Sequence, residues 1–309
     1  MSSTQTAVRP AYRPYRAEVA RVERLSPHFV RVTFTGDEFE HFGTARLDQR
    51  IKVVLPLADG TFSDFGQDEG AGDWYDRWRA LPQAARNVFR TYTVRRIDPD
   101  SGELDVDFVT HHDAGPAGTW AAQAVPGQRL FIVGPDARSP HAASGLDFHP
   151  GTARRILLAG DETAAPAITA ILELLGADYD VDAFIEVPTA ADVLDVRRGH
   201  SGRLTWLPRG ARPHGASLIE AMTAWADAST EVLARAAAPR RQELADIDVD
   251  LELLWDSPEA ADGEFYAWIA GEAATVKTLR RMLVSERGVD RKRVAFMGYW
   301  RLGQAERTQ

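Results

Sequence analysis

Up to Gly134 the chain is built of short runs in which apolar and polar residues alternate. Val30, Val32 and Phe34 alternate with polar neighbours. So do Ile51, Val53 and Leu55, then Leu104, Val106 and Phe108, then Leu130 and Ile132. A period of two, broken by Gly, Pro and Asp, predicts antiparallel strands, and several of them in this length predict a small barrel or sandwich. The stretch from Phe65 to Val88 interrupts the rhythm with Trp74, Tyr75 and Trp78, and reads as an inserted loop with some helix. After a Pro-, Gly-, Ser- and His-rich segment, Asp136–Thr152, the pattern changes. Apolar runs at 154–160, 181–187, 264–272 and 293–300 read as buried strands. Helical spacing follows the first, with Ile168, Ile171, Leu172 and Leu175, and recurs at 217–227 and 273–288. Strand and helix in alternation predict a parallel sheet covered by helices on both faces. Residues 228–244 read as an alanine-rich, exposed helical excursion. The expected organisation is a barrel over 1–140, a linker over 141–152 and an α/β domain over 153–309.

Composition narrows the chemistry. The 309 residues contain 36 Lys+Arg, 45 Asp+Glu and no cysteine, for a net charge of −9. Without cysteine there is no disulfide scaffold, Cys-ligated zinc, iron–sulfur cluster or thiol nucleophile. The acidic balance argues against a general nucleic-acid binder, which needs a basic face. No apolar run reaches the ~20 residues of a membrane span, and no signal peptide is evident, so a cytoplasmic protein is expected.

Five segments could carry chemistry. In Arg90-Thr91-Tyr92-Thr93-Val94-Arg95, strand alternation puts Arg90, Tyr92 and Val94 on one face and Thr91, Thr93 and Arg95 on the other. Arg90 could pair with a phosphate, Tyr92 could stack on a flavin and Thr93 could offer a hydroxyl; an ordinary edge strand has the same pattern. Phe108-Val109-Thr110-His111 leads into Gly115-Pro116-Ala117-Gly118-Thr119-Trp120. This strand, turn and short helix would present backbone N–H groups to a phosphate, or be a plain turn. His111 and His112 are adjacent on a strand and point apart, so no protein-ligated metal is expected. Gly160-Asp161-Glu162-Thr163 stands at the first strand-to-helix turn of the second half, where a nucleotide would bind or where Asp161 and Thr163 would cap the helix. The G-x-G-x-x-G fingerprint is absent, so this is not an ordinary Rossmann dehydrogenase. Ala270-Gly271-Glu272-Ala273 is a second strand-to-helix turn, and Gly298-Tyr299-Trp300-Arg301 begins an aromatic C-terminal segment.

In this order, RTYTVR (90–95), DFVTHHDAGPAGTWA (107–121), VGP (133–135), GDETAAPAI (160–168), WIAGEAATVKTLRR (268–281) and GYWRLGQAE (298–306) resemble the siderophore-interacting protein family, the flavin-dependent ferric-siderophore reductases. The resemblance implies a ferredoxin-reductase-like fold: an N-terminal antiparallel FAD-binding β-barrel, then a C-terminal parallel-sheet nucleotide-binding domain. It implies FAD held by Arg90, Tyr92 and Thr93, with His111, Gly115, Pro116, Ala117, Thr119 and Trp120 around the rest. Asp161, Glu162 and Thr163 would lie where the nicotinamide of NADH or NADPH enters. Lys52 would lie beside the ferric siderophore, with Lys277, Arg280 and Arg301 as candidates for the remaining basic substrate patch. Gly118 stands where the family often has Ser, which would pass one phosphate contact to Thr119. A monomer with no nucleic-acid partner and no membrane span is expected. A flavin reductase, or another electron carrier of the same build with a different acceptor, is the alternative.

Overall fold

A computed structural model describes residues 9–69, 72–110, 115–244, 247, 249, 252–259 and 261–303. The chain divides between Leu146 and Asp147 into two compact units, with the short segment Leu25–His28 grouped with the second.

The first unit contains β1 (Tyr12–Arg24), β2 (Phe29–Thr35), β3 (Arg50–Val54), α1 (Trp74–Ala80), β4 (Phe89–Thr93), β5 (Arg96–Asp98), β6 (Glu103–Val109), α2 (Pro116–Ala122) and β7 (Arg129–Pro135). Its seven strands form one antiparallel sheet in the order β4-β3-β7-β1-β2-β6-β5. The 13-residue β1, which the alternation pattern did not reveal, holds this sheet together. Its first half pairs with β7 and its second half with β2, and a register irregularity between Val19 and Arg21 marks a bulge of the kind that bends a strand. Alternate residues of the curled sheet, Tyr15, Val32, Phe34, Ile51, Val53, Leu104, Val106, Phe108 and Ile132 among them, pack into one interior.

The aromatic insertion has a place of its own. Trp74 and Trp78 of α1 pack with Phe65, Phe89, Phe131, Val54 and Val133 on the opposite face of β3, β4 and β7. The Trp78 indole donates to the Asn87 carbonyl at 2.8 Å. The polar positions of β6 depart from the expected solvent face. Asp105 and Asp107 are buried, because Arg31 grips Asp107 with two bonds of 2.7 and 2.8 Å, while Thr33 and Arg96 donate to Asp105 at 2.7 and 2.9 Å. A carboxylate can be buried when its acceptors are filled in this way.

The second unit contains β8 (Arg155–Gly160), α3 (Ala165–Leu174), β9 (Asp180–Val187), β10 (Ser201–Pro208), α4 (Ala216–Ala228), α5 (Thr230–Arg235), β11 (Trp255–Asp256), β12 (Phe265–Glu272), α6 (Ala273–Arg280) and β13 (Val294–Trp300). The sheet order is β10-β9-β8-β12-β13-β11, parallel except for the short β11. β12 is buried at every position, as expected of a central parallel strand covered on both faces. Leu218, Met222 and Trp225 of α4 and Val276 and Leu279 of α6 pack against Leu157, Ala159, Phe184 and Ile269 of the sheet. The excursion at 228–244 is helical only through α5, and Leu233 and Ala236 are buried in this core rather than exposed.

Gly134 on β7 lies against the Phe42 ring, which is fully buried against Tyr15 and Phe39. A methyl group there would overlap that ring. Gly134→Ala should therefore lower stability by about 1–3 kcal/mol, the usual cost of overpacking a filled core, as read from the midpoint of urea unfolding.

Candidate functional site

In the first unit β4 is an edge strand, so one row of its backbone groups has no strand neighbour. Its register on β3 pairs Arg90 with Val53, Thr91 with Lys52, Tyr92 with Ile51 and Thr93 with Arg50. Arg90 and Tyr92 therefore share the face of Ile51 and Val53, while Thr91 and Thr93 share the face of Lys52. Tyr92 lies 4.4 Å from Phe108 between ring centroids. Phe108 lies 5.8 Å from Trp120, and Trp120 stacks on Phe34 at 6.1 Å. This train of rings ties β4 to α2.

α2 begins with Gly115 as its cap and Pro116 in its first turn, and among the described residues no side chain caps it. The Thr119 N–H closes the first turn onto the Gly115 carbonyl at 3.0 Å. Gly115 and Thr119 are exposed, Ala117 and Gly118 buried and Trp120 half-buried. A Cβ on Gly115 would meet nothing within 4 Å. Half-buried Arg90 also donates to its neighbour's carbonyl, Phe89 O, at 2.8 Å. Thr93 is buried. A guanidinium, a partly open phenol ring, hydroxyls and an uncapped helical turn make a donor set suited to a ligand that carries both an aromatic ring and phosphate. His111 lies outside the described residues.

Lys52 is half-buried on β3. Its Nζ donates to Thr91 Oγ1 at 2.6 Å and sits 5.6 Å from the centre of the Phe89 ring.

In the second unit the residues of interest gather at the C-terminal ends of the parallel strands, where β8 is flanked by β9 and β12. Asp161 is buried and accepts four hydrogen bonds. Thr163 N and Thr163 Oγ1 bind its Oδ1 at 2.9 and 2.5 Å, and Glu272 N and Trp300 Nε1 bind its Oδ2 at 2.7 and 2.9 Å. Glu162 forms a two-pronged pair with Arg209, both bonds 2.7 Å. His214 places Nε2 3.6 Å from carboxylate oxygens of both Asp161 and Glu162, and its ring stands edge-on to Trp300 at 4.9 Å. The remaining carboxylates bind helix starts. Glu186 accepts from Gly215 N and Leu218 N at 2.7 and 3.0 Å, and Glu272 accepts from Thr275 N at 2.9 Å. Of this cluster, Glu186, Arg209 and His214 escaped the reading of the sequence. Glu186 left a signal, a charge set within the apolar residues Ala183, Phe184, Ile185 and Val187 of β9.

The basic candidates of this unit are already engaged. Lys277 Nζ donates to the Ile247 carbonyl at 2.6 Å, Arg280 is buried and pairs with Asp256 at 3.1 Å, and Arg301 donates to the Glu252 carbonyl. Their partners are thus Ile247, Asp256 of β11 and Glu252. Arg197, Arg198 and Arg203, near in sequence to the second strand of this sheet, lie at the start of β10, the edge opposite to Asp161.

Charge coupling sets the protonation of the cluster. Burial and the neighbouring Glu162 push Asp161 upward, opposed by His214 and by hydrogen bonds from Thr163 and Trp300. Burial also opposes ionisation of Glu162, but His214 and Arg209 pull it down to about 2. Burial lowers His214, and Glu162 and Asp161 more than offset this, so it is raised. The raised histidine stabilises the fold fully below its ordinary 6.5, and this contribution is lost as pH climbs through its folded value. The depressed Glu162 contributes fully above its ordinary 4.5, and its contribution is lost as pH falls toward 2. Urea unfolding should therefore show His214→Gln less stable than the parent at pH 6, with the gap closing toward pH 9. Glu162→Gln should cost about 3 kcal/mol at pH 7 and progressively less below pH 4. A pH-independent gap in either variant contradicts the assignment.

Comparison with known proteins agrees with this architecture. Residues 18–139 match the siderophore-interacting FAD-binding domain, and residues 153–303 match the siderophore-interacting protein domain. An uncharacterized protein of Mycobacterium tuberculosis is 36% identical over 304 residues, covering 96% of this chain and 93% of its own. The ferric vibriobactin reductase ViuB of Vibrio cholerae is 27% identical, over 95% of this chain and 91% of its own. The crystal structure of a siderophore utilization protein from T. fusca superposes with a TM-score of 0.68 at 29% identity, covering 96% of this chain and 95% of that one. The ferredoxin reductase of carbazole 1,9a-dioxygenase shares the fold, with a TM-score of 0.57 at 16% identity over 94% of this chain and 70% of that one. The chain has the ferredoxin-reductase-like fold, an antiparallel curled FAD-binding sheet followed by a mostly parallel sheet, and belongs to the siderophore-interacting protein family.

Proposed function

We propose that this protein reduces ferric siderophores in the cytoplasm, with NADH or NADPH as donor and FAD as the relay. The observation that carries the reading is the β4 edge. Arg90 and Tyr92 share one face of this strand, and an aromatic train runs from Tyr92 through Phe108 to Trp120 of α2, all inside the segment that matches the FAD-binding domain. The similarity to a ferric vibriobactin reductase along 95% of the chain supports the acceptor class.

Bound FAD would supply the change of electron number, taking two electrons as hydride and releasing them singly to Fe(III). The chain's own residues do the rest. Arg90 and the first turn of α2, from Gly115, Pro116 and Ala117 to Thr119, hold the diphosphate. Tyr92 offers its ring to the isoalloxazine, Thr93 its hydroxyl, and Trp120 braces the helix from behind; His111 belongs to the same expected set. Asp161, Glu162 and Thr163 border the approach of the nicotinamide. Lys52 attracts the chelate, which is usually anionic, in a protein whose net charge is −9. Siderophore oxygen donors are hard and favour Fe(III), so reduction loosens the complex. The protein therefore needs no iron ligand of its own. Lys277, Arg280 and Arg301 are left out of the substrate surface, because each is already engaged within the second unit.

Arg90→Ala should weaken FAD retention about 10- to 150-fold, the equivalent of ~1.5–3 kcal/mol for a charged hydrogen bond. Flavin absorbance after gel filtration measures this, and an unchanged flavin-to-protein ratio would reject the role. Lys52→Ala should raise the apparent KM for an anionic ferric siderophore severalfold while leaving flavin content intact. An unaltered KM would remove Lys52 from the substrate site.

A further inference from the structure

Three helices, α3, α4 and α6, start at the C-terminal edge of the second sheet, and the chain's own carboxylates occupy the starts of α4 and α6 and the turn that leads into α3. Asp161 binds the N–H of Thr163 in the turn into α3. Glu186 spans the start of α4 through Gly215 N and Leu218 N. Glu272 takes Thr275 N in the first turn of α6. In a doubly wound sheet this edge, at the strand-order switch, is where a nucleotide phosphate docks, drawn by these same N–H groups and by the positive end of the helix.

With Glu162, four buried carboxylates meet two cationic side chains here among the described residues. Arg209 is gripped by Glu162 and lies 3.8 Å from Glu186; His214 lies 3.6 Å from Asp161 and from Glu162. The glycines at this edge do not open it to a ligand. A Cβ on Gly160 would meet the Ala164 Cβ at 2.5 Å and the Ala270 carbonyl at 2.6 Å, and one on Gly271 would meet Asp161 Oδ2 at 2.6 Å. Both serve close approach of the chain to itself.

We propose that Asp161, Glu186 and Glu272 determine donor specificity by excluding phosphate from the turn into α3 and from the starts of α4 and α6, so that the adenosine-diphosphate half of a pyridine nucleotide adds little to its binding. This rests on the reading of NADH or NADPH as donor. It also bears on the missing G-x-G-x-x-G fingerprint: after Gly160, Glu162 stands where the second glycine would bring backbone to the pyrophosphate, and Ala165 where the third would stand.

The test is calorimetric titration of the FAD-loaded protein with ADP-ribose, which carries the diphosphate without the nicotinamide. The wild type should bind it with a Kd above 1 mM, an order-of-magnitude expectation for a site with no phosphate cradle. Glu272→Gln, which keeps a capping oxygen and removes the charge, should bind it at least threefold tighter. Micromolar binding by the wild type overturns the proposal, as does unchanged affinity in a folded Glu272→Gln; if that variant does not fold, the wild-type value decides. In parallel, NADH and reduced nicotinamide mononucleotide should reduce the flavin at rates within about tenfold of each other, and a hundredfold advantage for NADH overturns the proposal. Failure of both nucleotides to reduce the flavin rejects the donor assignment, while the ADP-ribose result still judges the inference.

Discussion

The Asp161 carboxylate is buried among donors from three separate stretches of chain: Thr163 after β8, the Glu272 backbone at the end of β12, and the Trp300 indole at the end of β13. Four bonds to one carboxylate fix three strand ends relative to one another. They also dictate sequence nearby. Gly271, at φ +143°, can have no side chain because Asp161 fills that space, and Gly160 lies too close to Ala164 and Ala270 for a Cβ. Loss of the carboxylate would leave several buried donors without an acceptor, a penalty of about 1–3 kcal/mol for each. The separated segments GDET, AGE and YW are thus parts of one structure, and much of their pattern follows from packing around a single buried charge.

This arrangement was only partly legible in the sequence. The strands with clean alternation, β2, β3, β6 and β7, could be read directly because one face of each is apolar. β1 could not, because Arg13, Pro14, Arg16 and Arg21 break its apolar rhythm; Arg13 is buried under Glu38 and Asp136 and over the Tyr15 ring. Asp105 and Asp107 looked like solvent positions and are buried, because arginines distant in sequence reach them. β10 also escaped detection: it is an edge strand, only half-buried, and begins with Ser, Gly and Arg. At the site, Arg90, Tyr92 and the Gly115–Trp120 turn stood out because short-range spacing places them. His214, Arg209 and Glu186 did not, because their meeting with Asp161 and Glu162 depends on sheet order. The same limit applies to Lys277, Arg280 and Arg301, whose partners Ile247, Asp256 and Glu252 are distant in sequence.

The two units manage charge in opposite ways. At the β4 edge of the first, a guanidinium and a tyrosine ring share one strand face, and further rings link that strand to α2, an arrangement that favours an anionic, ring-bearing cofactor. In the second, the starts of α4 and α6 and the turn into α3 are satisfied from within by buried carboxylates. On the reading proposed above, one edge retains a ligand and the other resists retaining phosphate. That difference suits a resident flavin and a donor that departs after delivering its electrons.

Electron delivery to a ferric siderophore is the central claim, and an anaerobic titration tests it most directly. The FAD-loaded protein is reduced chemically by two electrons, freed of reductant and mixed with excess ferric siderophore in the presence of an Fe(II)-trapping chelator. Oxidised flavin absorbance should return as about two equivalents of Fe(II) are trapped per flavin. A flavin that stays reduced, with no Fe(II) trapped, would contradict the account.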